Sequence, residues 1–236
     1  MSQELELENT LRESASGQKG RVSGVAYWSV IALGTIGLLM GINQTFTLRL
    51  MGFDPMGNSF LYYLIGIFLA ASFLISPATA SAKKYVPWYD WLFGVIAIGC
   101  TIYLGMHGLK IIEQGWDYSA PLEATLVSAA LLLLVIEGIR RSGGTPLLIV
   151  VVIFGAYPLF AGYLPGFLWG TEYSLGETIR AHVMGAESII GIPMQVVANL
   201  VIGFVVFGAA LTVTGGGDFF MRIAAALRGG ARGGPA

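Results

Sequence analysis

Charge is scarce in this chain of 236 residues: Asp, Glu, Lys and Arg together make up 11% of it, against 55% hydrophobic residues. An ordinary soluble domain carries about 25% charged residues, so a water-facing surface is excluded and the mean hydropathy of +0.73 points to lipid. An excess of one sign is missing too, with 13 basic residues against 14 acidic ones. No field is present to hold a polyanion, and nucleic acid is not an expected partner. Cys100 is the only cysteine, which excludes an internal disulfide and a multi-thiolate metal site. His107 and His182 stand far apart, without the His-x-x-x-His or Glu-x-x-His spacing of a local metal site. Gly-x-Ser-x-Gly is absent, and Gly215 to Gly217 lack the Lys-Ser/Thr of a phosphate loop. Hydrolase and nucleotide chemistry lose their support, and the chain does not read as an enzyme.

What the chain does have is long apolar runs. Six stretches, at 25–43, 59–76, 91–109, 122–138, 144–162 and 196–213, have no charge in their middles. Each is close to the ~20 residues that cross ~30 Å of hydrocarbon as a helix. Only helices or closed barrels satisfy their backbone in lipid. The expected fold is therefore all-α: a polytopic membrane protein with about six transmembrane helices and short interfacial helices. The first stretch is no secretion signal, because it follows about two dozen polar residues, exceeds the usual ~7–15-residue apolar core and ends without a small-x-small site.

Basic residues alternate between the linkers. Arg12, Lys19, Arg21, Lys83, Lys84, Arg140, Arg141, Arg222, Arg228 and Arg232 fall on one side, and only Arg49, Lys110 and Arg180 on the other. The positive-inside rule places the richer side, with both termini, in the cytoplasm. Residues 1–20, with four glutamates among polar residues, read as a flexible cytoplasmic tail. In the linker 81–91, Lys83 and Lys84 precede Tyr85, Trp88, Tyr89 and Trp91, a pattern suited to anchoring a helix entry at the membrane interface.

The strongest internal boundary is Glu137 to Pro146. Arg140 and Arg141 fix the cytoplasmic end of the fourth span, Gly143 and Gly144 relax the backbone, and Pro146 suits the first turn of the next helix. Residues 163–195 form the longest connection, with a short helix expected over 178–190 and with Glu172, Glu177 and Glu187 offering an outside docking face. After the sixth span, Asp218 caps a helix running to Leu227, with Phe219, Ile223 and Leu227 on one side for the inner membrane surface. Ionisable groups inside spans, the usual signs of a proton or solute path, are nearly missing. The least ordinary polar residues in or beside a span are Gln195 and Asn199, expected to make hydrogen bonds inside the bundle. Gly37 and Gly41 supply a small-xxx-small packing face.

The segments 122–126, 137–144, 204–211 and 227–236 carry a resemblance. Over about residues 21–236 the chain resembles the amino-terminal part of a fused membrane permease of the tripartite ATP-independent periplasmic (TRAP) transporters, particularly the fusion type associated with TAXI solute receptors. The resemblance implies a scaffold domain at 21–142 similar to the TRAP small membrane subunit, followed at 143–236 by the incomplete start of a domain similar to the large transport subunit. It further implies a sodium-coupled elevator carrier for organic acids in the bacterial inner membrane, supplied by an extracytoplasmic solute receptor. No cofactor is implied for this chain; sodium is the coupling ion implied for the complete permease. The partners implied are the receptor, membrane lipids and a continuation of the large subunit in cis or trans, since the chain stops before the re-entrant hairpins that bind substrate and sodium in that family. The alternative is a stand-alone membrane scaffold or accessory subunit without transport activity.

Overall fold

A computed structural model describes residues 21–228; the expected tail at 1–20 and the glycine-rich end at 229–236 lie outside the described residues. The described residues are helical, with no strand among them. In chain order the helices are α1 (Val25–Thr45), α2 (Gly57–Ile75), α3 (Trp88–Met106), α4 (Gly108–Glu113), α5 (Leu122–Ala156), α6 (Leu175–Met184), α7 (Ile192–Val196), α8 (Ile202–Val213) and α9 (Gly216–Arg228). A π-helical turn, Val197–Val201, joins α7 to α8. Among the described residues, five helical runs are long and apolar enough to cross a membrane: α1, α2, α3, Leu122–Leu159 and Ile192–Val213.

The count differs from six because the fourth and fifth stretches lie on one helical run. Nothing between Glu137 and Gly143 breaks a helix, so α5 continues past the end of its first apolar stretch. It is interrupted at Gly144, where φ is 75° and ψ is 176°, a conformation that essentially only glycine adopts. Pro146 follows directly, in the first turn of the resumed helix, where its missing N–H leaves no orphan.

Helix α2 occupies the middle of the packing. Tyr62, Leu64 and Phe73 on it are fully buried, and Phe73 meets Ala97 of α3 and Leu134 of α5, with Leu69 and Phe93 against them. Helix α1 packs on α2 through its glycine face: a Cβ added at Gly37 would lie 3.1 Å from Phe68 Cζ. Gly37 and Gly41 are both buried, so this face is used within the chain. In the last turn of α1, the Asn43 amide donates to the Phe53 carbonyl at 3.0 Å, and its oxygen accepts from the Leu50 amide at 2.9 Å. That clasp folds the mixed segment 45–53 into a compact turn.

The chain divides into two compact units between Gln195 and Val196. The first holds α1 to α6. In the second, α8 exposes Phe204, Val205 and Phe207, and α9 exposes Phe219, Phe220 and Ile223. The expected helix 218–227 is thus present as α9, two residues longer at its start and one at its end.

Candidate functional site

Asp90 lies in the first turn of α3, and both its carboxylate oxygens meet arginine. Arg21 Nη2 reaches Oδ2 at 2.6 Å and Arg141 Nη1 reaches Oδ1 at 2.6 Å, with all three side chains essentially shut off from solvent. Arg21 also donates to the carbonyls of Phe73, Leu74, Ser76, Ala82 and Tyr85. These include carbonyls at the end of α2 that have no intrahelical donor, so one guanidinium closes α2 and joins it to the loop before α3. Arg141 continues the network through Nε to Glu137 Oε1 at 2.7 Å. Its guanidinium lies over Phe73 at 4.9 Å and Phe93 at 5.5 Å, which accounts for an Nη2 without a hydrogen-bond acceptor.

Arg140 faces outward. It pairs with Glu137 at 2.7 Å and keeps 38% of its side chain exposed, and it donates weakly to the Ala78 carbonyl. The two arginines read together as topology markers therefore have separate roles: Arg141 is a buried structural ion and Arg140 a surface one. The segments assigned to the cytoplasmic side by their basic residues, around Arg21, Lys83 and Arg140, are brought together at one end of the bundle.

At the other end, α6 docks across the bundle. It starts at Leu175, earlier than the expected 178, because Ser174 and Glu177 form a capping box: the Glu177 amide donates to Ser174 Oγ at 3.3 Å and the Ser174 amide to Glu177 Oε2 at 2.7 Å. It ends at Met184, well before 190, because Gly185 turns extended. Hydrogen bonding to Ser174, by side chain first and backbone second, holds the Glu177 carboxyl below its usual range.

Three contacts attach α6 and its neighbours. Tyr62 donates to the Val183 carbonyl at 2.8 Å, Arg180 to the Tyr118 carbonyl at 2.8 Å, and His182 Nε2 bonds the Gly155 carbonyl at 2.8 Å. A carbonyl only accepts, so Nε2 carries a proton; Nδ1 meets Ser188 Oγ at 3.0 Å. His107 is likewise held in a local structure, stacked between Tyr103 and Trp116.

The other sequence-selected residues are spread out. Glu172 and Glu187 are exposed, whereas Glu177 is half-buried and engaged in the cap. Gln195 donates to the Ile190 carbonyl at 3.4 Å, and Asn199 sits exposed on the π-helical turn. Among the described residues no three His, Cys, Asp or Glu side chains are grouped to hold a metal. Sequence reasoning missed Arg21 and Asp90 as a pair. They are 69 positions apart, and Asp90 alone looks like a routine helix-start acid. The Ser174-x-x-Glu177 cap was legible and overlooked.

The family described as "Tripartite ATP-independent periplasmic transporter, DctM component" matches residues 130–236. No curated protein and no solved structure matches the chain. The matched region begins within the first half of α5 and takes in every element after it.

Proposed function

From the match of residues 130–236 to the DctM component of TRAP transporters, we propose that this multi-pass membrane protein is the permease component of a sodium-coupled carrier for organic acids in a bacterial inner membrane. The observation that carries the reading is the family match, which spans the Gly144 break, α6 and both helices of the second unit. In this reading residues 21–142 are the scaffold, tied by the Arg21–Asp90–Arg141 network, and residues 143–236 enter the transport subunit. The basic end faces the cytoplasm, so α6 and the segment 163–191 face the solute receptor, to which Glu172 and Glu187 present charge. Gln195 and Asn199, at the entry to the last span, offer polar atoms to the transport path. The receptor and the other membrane-subunit functions of a TRAP system are the partners.

The test is uptake in the native bacterium with and without this gene, using a panel of labelled mono- and dicarboxylates in sodium and in sodium-free buffer. Loss of sodium-dependent uptake of at least one acid supports the reading. Unchanged uptake of all of them, with the protein present in the membrane, overturns it.

A further inference from the structure

No charged residue occurs between Arg141 and Glu172. Within that stretch the helical arm at 145–156 rises only about 18 Å at 1.5 Å per residue, well short of the ~30 Å of hydrocarbon. The chain then proceeds through tight turns at Tyr157–Leu159 and Ala161–Tyr163, which at about 2 Å per residue add at most about 14 Å. An arm starting at the level of the Arg141 cluster can therefore reach the opposite membrane boundary no earlier than about Tyr163.

The loop that follows exposes its rings: Tyr163 is 78% exposed, Phe167 95% and Trp169 66%. Its backbone is closed on itself. The Trp169 amide donates to the Gly166 carbonyl at 3.2 Å and the Gly170 amide to the Ala161 carbonyl at 3.1 Å. Tyr157 Oη donates to the Leu168 carbonyl at 2.7 Å. A loop with several carbonyls bonded internally and its aromatic rings exposed suits the boundary layer, where Trp and Tyr rings are favoured. Val150, Ile153 and Phe154 on the arm are exposed as well.

We propose that Tyr163, Phe167 and Trp169 form an aromatic foot that seats this loop in the headgroup layer of the bilayer, with lipid as its partner. The foot does not depend on the transport reading. It leaves Glu172 and Glu187, just beyond it in the chain, for the aqueous side.

The test places a nitroxide at Phe167→Cys, and separately at Glu187→Cys, in the full chain with Cys100→Ala, reconstituted in phosphatidylcholine nanodiscs. Power-saturation measurement is expected to show collisions with oxygen exceeding those with a water-soluble nickel chelate at 167, and the reverse at 187. Two results overturn the proposal: nickel dominance at 167, meaning water, or shielding of 167 from both reagents, meaning cover by protein. A second readout needs no cysteine variant. Trp169→Phe is expected to lower the fraction of tryptophan emission quenched by brominated lipid, and an unchanged fraction overturns the foot.

Discussion

The Arg21–Asp90–Arg141 cluster and the α6 contacts secure opposite ends of the same helices by different chemistry. In the cluster the bonds to Asp90 join charged side chains, out of water and mutually dependent, and Arg21 adds bonds to backbone carbonyls. Around α6 the acceptors are the backbone carbonyls of Val183, Tyr118 and Gly155. Removing Asp90 from the cluster leaves Arg21 without its counter-ion, whereas removing a donor to α6 leaves one carbonyl unsatisfied. The first end is therefore locked and the second is detachable.

Asp90→Asn is expected to have the largest effect, about 3–5 kcal/mol, because it leaves the buried Arg21 guanidinium without its counter-ion and Arg141 with Glu137 alone. Equilibrium unfolding in mixed micelles reads it. Arg141→Gln should approach that loss, while Arg140→Gln should cost about 0–1 kcal/mol as a partly exposed pair. Equal losses at 140 and 141 would erase the distinction between them.

Next comes Gly144→Ala, expected to cost about 1–3 kcal/mol by forcing a side chain into a glycine-only backbone region. Stability equal to that of the unsubstituted protein would show that the break is not held at that conformation. Tyr62→Phe is expected to cost about 1–3 kcal/mol by leaving the buried Val183 carbonyl without a donor. Hydrogen exchange should then quicken in α6 while α2 and α3 stay protected. Faster exchange throughout would mean that this end is not separable from the rest.

A smaller effect than those at Gly144 and Tyr62 concerns the α6 cap. Ser174→Ala is expected to cost about 1 kcal/mol, read as faster exchange in the first turn of α6. Because the Glu177 pKa is lowered in the folded state, its contribution is fully present above the ordinary Glu value and is lost as pH falls through the lowered one. Exchange in that turn should therefore accelerate on acidification below the usual Glu range, and Glu177→Gln should abolish the pH step. A step that persists in Glu177→Gln would assign the titration to another group.

Periodicity, composition and local motifs are properties of neighbouring residues, which is why much of the architecture was readable in advance. Long uncharged runs require helices, since lipid offers no other partner to the backbone, and α1, α2 and α3 appear close to the expected places. The paired glycines before Pro146 marked the place where α5 leaves helical geometry. Joining the fourth and fifth stretches in one run was less legible, because hydropathy reports where lipid contact stops and not where hydrogen bonding stops.

The sequence by itself determined that the protein is an all-helical membrane protein, where α1, α2 and α3 fall and where α5 breaks, because each of these depends on residues within a few turns of one another. Only the tertiary structure decided which charges are structural. Arg21, Asp90 and Arg141 look no different in sequence from Lys83, Asp54 and Arg140. What separates them is enclosure by α2, α3 and α5, which removes water and leaves each ion only its partners.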